Sequence, residues 1–336
     1  MSPRFLSMKN YTTPPKLSPG DLVRVIAPSM SLAFVSEEHR RIAERVLEEM
    51  GLRVSYGANT IEKNKDNSSS IKSRVQDFHD AFADTEVKLI ICALGGYSSH
   101  EMLDHLNYDL IKANPKRLCG FSDITALSNG IFAKTGIVTY SGPCFANLAM
   151  IKGRDYIDRY FKSIMFDDHD IIIEPSKEWS EDKWYKDQKN RQFKLNPGYW
   201  HLNEGSTKGH IVGGNISTLR LLLGSQYIPS FQNCVLFIEE NTATGDAEDT
   251  YEFKRFIQSL IHQPYFSSVK GLVIGRFKSK SAVNQKALTN IIAYFKELKD
   301  IPVIANVDFG HTYPFFTFPI GGKVEIEKKN ITLIDN

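Results

Sequence analysis

Strand-length apolar runs that alternate with amphipathic helices constrain this chain more than any other feature. The clearest run is Val87-Lys88-Leu89-Ile90-Ile91-Cys92-Ala93-Leu94, which ends in Gly95-Gly96. A short segment that is apolar nearly throughout reads as a strand covered on both faces. Comparable runs cover Leu22 to Ala27, Leu52 to Tyr56, Arg117 to Phe121 and Ile137 to Tyr140. Helical patterns fill the gaps. One runs from Glu37 to Met50, capped by Ser36 and stopped by Gly51; another carries Ile71, Val75, Phe78 and Phe82 on one face. Further helices are expected around Met102 to Leu106, Tyr108 to Ala113, and from the Ser122 turn to Ala133. This order predicts right-handed βαβ units in a parallel sheet, with ligands at the carboxyl ends of its strands.

At 336 residues the chain exceeds what one hydrophobic core usually serves, so two domains are expected. Residues 1–19 are polar, with Pro14-Pro15 and Pro19, and read as a loose arm. Residues 20–167 form the first α/β domain, closing with a helix from Tyr156 to Phe166. Residues 168–208 read as a linker plus a surface insertion holding all three tryptophans, Trp179, Trp184 and Trp200. Residues 209–336 form a second α/β domain. Its strands are expected at His210 to Val212, Val235 to Glu239, Gly271 to Phe277 and Val303 to Val307. Its helices are expected at Thr218 to Leu223, Asp246 to Ile261 and Gln285 to Leu298. A terminal hairpin joins Lys323–Ile326 to Ile331–Ile334 across Lys329-Asn330.

Composition narrows the function classes. A formal net charge of +2 with dispersed Lys and Arg gives no electrostatic footprint for a nucleic acid polymer or a membrane surface. Met1 to Ser18 holds no apolar stretch fit for a secretory signal and no run approaches membrane length, so neither a signal nor a membrane span is expected. Cys92, Cys119, Cys144 and Cys234 are widely spaced, which reads as buried free thiols in a cytoplasmic protein rather than disulfides or a zinc site. No Walker pattern or dinucleotide fingerprint occurs, and neither cofactor nor metal is expected.

Three chemistry-bearing residues follow apolar strands. Ser122 sits in the turn Gly120-Phe121-Ser122-Asp123 before a helix, where it could simply be an N-cap. Glu239 ends Leu236-Phe237-Ile238, and His311 follows Asp308-Phe309-Gly310. Ser, Glu and His in that order match a hydrolytic triad, in which an imidazole takes the serine proton and a carboxylate orients the imidazole. The backbone amides of Gly95, Gly96 and Asp123 are the candidate oxyanion donors, and Tyr97 follows that turn. Gly213-Gly214-Asn215 reads as a turn shaping a cleft wall. An esterase of α/β-hydrolase type is disfavoured because Ile124 stands where Gly-x-Ser-x-Gly requires glycine. A non-catalytic small-molecule binder is the remaining class.

Ala93-Leu94-Gly95-Gly96-Tyr97, Gly120-Phe121-Ser122-Asp123, Gly213-Gly214-Asn215, Leu236-Phe237-Ile238-Glu239 and Gly310-His311-Thr312 with Pro314, Pro319, Ile320 and Gly321 resemble the LD-carboxypeptidase family of serine peptidases. That family includes the microcin immunity peptidases. The resemblance spans about Gly20 to Gly322. It implies a flavodoxin- or amidotransferase-like N-terminal domain, a smaller C-terminal α/β domain, an active site between them and a homodimer. By motif match it implies Ser122 as nucleophile, Glu239 as carboxylate and His311 as base. Leu94 stands where many carboxypeptidase members carry arginine. The tryptophan-bearing insertion is similar to the extra segment of the microcin immunity branch, whose aromatic rings stack on a nucleobase. The resemblance therefore implies cleavage of an aminoacyl-nucleotide toxin, with Tyr97, Trp184, Trp200 and Asn215 as substrate contacts. The alternative substrate is a small peptide, a murein tetrapeptide losing its terminal D-amino acid.

Overall fold

The computed structural model describes residues 11–334. The first half alternates as expected: β1 (Leu22–Ile26), α1 (Glu37–Glu49), β2 (Arg53–Tyr56), α2 (Ile71–Ala83), β3 (Val87–Cys92), α3 (Tyr108–Ala113), β4 (Arg117–Gly120), α4 (Thr125–Thr135), β5 (Thr139–Ser141) and α5 (Asp155–Phe166). Ser36 and Ser70 begin α1 and α2 by accepting the amides of His39 and Ser73, as N-caps do. The five strands are parallel in the order β2-β1-β3-β4-β5, the doubly wound arrangement of flavodoxin-like sheets. In that order, the loops after β1 and β3 meet where the winding reverses. The Met30 amide donates to the Gly95 carbonyl there.

The middle segment does more than link. It supplies β6 (Ile171–Ile173), a small ribbon of β7 (Glu178–Trp179) and β8 (Lys194–Leu195), and β9 (Trp200–Asn203). After it come β10 (Ser206–Asn215), α6 (Ile216–Arg220), β11 (Cys234–Glu239), α7 (Ala247–Ile261), β12 (Gly271–Gly275), α8 (Gln285–Tyr294), β13 (Val303–Val307), β14 (Phe318–Ile320), β15 (Lys323–Glu327) and β16 (Asn330–Ile334). The second sheet has eight strands in the order β6-β16-β15-β10-β11-β12-β13-β9, so β6 and β9 close its two edges. Its central strands β10 to β13 are parallel. β14 crosses back and pairs antiparallel with β5, becoming the edge of the first sheet. Both hydrophobic clusters run through both halves; one joins Val25, Phe161, Phe237 and Leu333, the other Ile90, Leu127, Leu236 and Ile257.

Several expectations are corrected. From Tyr11 onward the N-terminal arm is packed, and its earlier part lies outside the described residues. Thr12 bridges to Ile137, Leu17 is buried, and the carbonyls of Pro14 and Pro15 accept from Arg117 at 2.9 and 2.7 Å. Buried Arg117 overrides the polar character of the arm by needing those acceptors. The segment around Met102 is a 3₁₀ helix, Ser99–His105, pinned at its start where the Asp123 carboxylate accepts the Ser99 amide. Helix α8 stops at Tyr294, because extended Phe295 turns its ring into the core before a 3₁₀ turn at Lys296–Leu298. Strand β10 runs through Gly213-Gly214-Asn215 rather than turning there. All four cysteines are free and buried, and burial pushes the Cys144 thiol up to about 12.

Arg117 is 1 % exposed and also donates to the Ile164 carbonyl at 3.1 Å, tying the arm and α5 to β4. Arg117→Met keeps the bulk but strands these carbonyls. It should cost about 2–4 kcal/mol of stability, measured by urea unfolding; a loss under about 0.5 kcal/mol would show that the arm is held elsewhere.

Candidate active site

Ser122 is not an N-cap. Its φ of +63° lies in the left-handed region, which non-glycine residues seldom occupy, and it opens a 3₁₀ turn, Ser122–Ile124, leading into α4. The first bond of that turn runs from the Ile124 amide to the Phe121 carbonyl, so the Asp123 amide precedes the helical ladder. A strained residue between a buried strand and a buried helix is how a nucleophile elbow presents a hydroxyl. Gly95 lies directly against it: a Cβ there would stand 3.0 Å from Ser122 Cβ and 3.2 Å from its Oγ.

The Asp123 side chain is buried. Its Oδ2 accepts from the Ser29 hydroxyl at 2.5 Å and from the Ser99 amide at 2.8 Å, while the Ser99 hydroxyl donates to the Asp123 carbonyl at 2.6 Å. One carboxylate thus joins the elbow to the loops after β1 and β3. Gly96, at φ +156°, leaves no room for a Cβ beside Ser29 and Met30. Tyr97 stands 90 % exposed just beyond.

The second sheet delivers the other two groups. His311 Nε2 lies 2.9 Å from Ser122 Oγ, and its Nδ1 lies 2.7 Å from Glu239 Oε2. Glu239 is 3 % exposed at the end of β11. With a carboxylate accepting from Nδ1–H, the Nε2 lone pair is free to accept the serine proton. Gly310, at φ +106°, permits this approach, since a Cβ there would come within 2.8 Å of Glu239 Oε2. The Phe121 ring packs on the imidazole with centroids 5.3 Å apart.

The two sheets are locked beside this relay. Helix α4 is buried over most of its length and touches the end of β10, where Asn129 donates to the Gly213 carbonyl at 2.8 Å and the Asn215 amide donates to Thr125 Oγ1 at 3.0 Å. Gly214, at φ +121°, gives α4 room, because a Cβ would collide with Thr125. Asn215 is paired in register with Glu239, so the helix that follows Ser122 sets the serine's height against the carboxylate. Asn215 also lines a small cavity with Ser122, Glu239, Gly310 and Phe315, while its Oδ1 caps α6 by accepting the Thr218 amide.

The tryptophans are placed differently. Trp184 is 4 % exposed and lies edge-on to Tyr185 and Tyr313, so a base could stack on it only if the insertion moved. Trp200, on β9, borders a surface groove with Asn284, Gln285 and Thr289, and neither ring lines the Ser122 cavity. Leu94 is partly buried against the core. Sequence reasoning passed over Asp308, which is fully buried and ion-paired with Arg276. Burial pushes the Asp308 pKa up, opposed by Arg276 and Ser176. Its position on the strand leading to His311 was the available signal. Among the described residues, no cluster of three or more His, Cys, Asp or Glu could hold a metal ion, and no helix is long and apolar enough to cross a membrane.

A serine, a histidine and a carboxylate hydrogen-bonded in series at the strand ends of two interlocked α/β units have the arrangement that serine hydrolases use. Residues 23–142 match the LD-carboxypeptidase N-terminal domain and residues 208–326 the LD-carboxypeptidase C-terminal domain. The chain belongs to the LD-carboxypeptidase family and is a serine peptidase. The protein named "Putative carboxypeptidase YocD" of Bacillus subtilis (strain 168) is 46 % identical over 312 residues, covering 93 % of this chain and 95 % of the relative. The crystal structure of an MccF-like protein from Bacillus anthracis (strain Ames) superposes with a TM-score of 0.94 at 46 % identity, covering 97 % of this chain and 100 % of that one. The microcin C7 self-immunity protein MccF of Escherichia coli is 27 % identical over 335 residues, covering 95 % of this chain and 94 % of the relative. Its structure in complex with aspartyl sulfamoyl adenosine gives a TM-score of 0.85 at 26 % identity and covers 96 % of this chain and 98 % of that one.

Gly310→Ala should leave the protein folded yet lower kcat by roughly ten- to a hundredfold, because Glu239 must give way by about half an ångström and alanine is strained at φ +106°. Steady-state kinetics with a circular dichroism control checks this. Unchanged kcat would mean the site absorbs the methyl group.

Proposed function

We propose that this protein is a carboxypeptidase-type amide hydrolase working through Ser122, His311 and Glu239, and that it cleaves aminoacyl-nucleotide toxins as microcin immunity peptidases do. The observation that carries the reading is the continuous hydrogen-bonded relay from Ser122 Oγ through both ring nitrogens of His311 to buried Glu239. Ser122 Oγ attacks the substrate carbonyl as its proton passes to Nε2, and the Glu239 carboxylate stabilises the imidazolium. The oxyanion is held by the backbone amides of Asp123 and the Gly95-Gly96 turn, each worth ~3 kcal/mol. The imidazolium then protonates the leaving nitrogen as the amide C–N bond breaks. Water, deprotonated by His311, releases the acid from the acyl-enzyme and regenerates Ser122.

The substrate class rests on the likeness to MccF, which has been solved with an aminoacyl-sulfamoyl nucleoside bound. A homodimer in the cytoplasm completes the reading, and sedimentation of the purified protein checks the dimer.

Wild-type protein should hydrolyse aspartyl sulfamoyl adenosine faster than a murein tetrapeptide when each is followed by mass spectrometry. The reverse order would move the activity to cell-wall peptides. Ser122→Ala and His311→Ala should each lower kcat by about 10⁴-fold or more, the double variant should be hardly worse, and Glu239→Gln should retain more activity than either. Full activity in Ser122→Ala would remove the mechanism.

A further inference from the structure

The tryptophan-bearing segment grips the strand end on both sides of His311. Upstream, the Asp308 carboxylate accepts the Ser176 amide at 2.7 Å, the Ser176 hydroxyl at 2.9 Å and the Asn196 side-chain amide at 3.3 and 3.4 Å. Asn196 also donates to the Ser176 hydroxyl at 3.1 Å, and its backbone amide donates to the Lys177 carbonyl at 3.0 Å, so both limbs of the segment reach Asp308 together. Arg276, from the end of β12, closes the network on the same carboxylate, with its guanidinium over the Trp179 ring. Downstream, Ser180 and Tyr313 exchange backbone hydrogen bonds in both directions, at 2.6 and 2.7 Å. Trp184 then rests edge-on against Tyr313. The backbone that carries His311 is therefore fastened three residues before and two residues after the imidazole.

We propose that this segment is a latch that positions His311, with Ser176 and Asn196 as positioning residues acting through Asp308. His311 must meet Ser122 and Glu239 at once, and it sits on a loop beside Gly310, whose backbone freedom would otherwise let the ring drift. A buried carboxylate with several donors is a rigid anchor, because every donor lost leaves a polar group without water to replace it. On this account the segment acts on turnover of every substrate, whichever group the substrate carries. This differs from a stacking platform, which would act on the affinity of base-bearing substrates alone. The inference rests on His311 being the general base, and the test separates the two.

Ser176→Ala, Asn196→Ala and the double variant leave the Arg276–Asp308 pair in place. Each is measured for kcat and KM on aspartyl sulfamoyl adenosine and on a base-free aspartyl anilide, and for the rate of Ser122 labelling by a fluorophosphonate. The double variant should lose roughly ten- to a hundredfold in kcat on both substrates, the scale of a misplaced catalytic group. Its KM should change less than about twofold, and labelling should slow by the same factor as kcat, with the thermal midpoint within a few degrees of wild type. Unchanged kcat and labelling, or a KM increase confined to the adenosine substrate, would overturn the latch. Labelling of Ser122 needs no natural substrate, so it still reads the latch if neither amide is hydrolysed. Labelling unaffected by His311→Ala would instead remove the base assignment on which the proposal stands.

Discussion

The structure depends on one imidazole satisfying two partners that belong to different sheets. His311 is 189 residues from Ser122 and 72 from Glu239, and it bonds both. A hydrogen bond tolerates only a few tenths of an ångström before it weakens. The sheets therefore have to be fixed to one another more tightly than two domains on a linker would be. The chain meets this by interlacing them: β14 leaves the second half to edge the first sheet, and both apolar clusters span both halves.

Small residues make the fastening close enough. Gly214 lets α4 touch β10, Gly310 lets the histidine loop reach Glu239, and Gly95 lets the loop after β3 lie on Ser122. A Cβ would meet Ser122 at Gly95, Glu239 at Gly310 and Thr125 at Gly214, so all three glycines answer to packing, and Gly214 and Gly310 to a positive φ as well. The positive φ of Ser122 is the complementary strain, sustained by the buried strand before it and the buried helix after it.

Buried carboxylates do the remaining positioning, and each ties loops that are distant in the chain. Asp123 joins the loops after β1 and β3 to the elbow, and Asp308 joins the middle segment to the strand before His311. Such groups are costly to bury alone and strongly held once surrounded by donors, which suits them to setting loop geometry. A segment that reads as a surface insertion is in this way built into the site.

Much was legible in order along the chain. The apolar runs marked β1, β3, β4, β11 and β13, the Ser36 cap marked α1, the apolar face of Ile71, Val75, Phe78 and Phe82 marked α2, and Ser122, Glu239 and His311 stood out because each follows a buried strand. Strand and helix periodicity, caps and glycine stops are local properties, and a residue carries them wherever the fold places it. The long-range arrangement was not legible. Periodicity does not say that β14 returns to the first sheet, that β6 and β9 edge the second, or that the arm from Tyr11 is held by Arg117. The family resemblance implies Trp184 and Trp200 as substrate contacts, and it carries no information on how packing encloses Trp184 and sets Trp200 beside α8. Sequence reasoning passed over Asp308, whose partners come from both limbs of the middle segment and from the end of β12. Local sequence determined which residues could do chemistry. Only the tertiary structure decided which of them meet, because hydrogen bonds and close packing depend on distances that chain order does not encode.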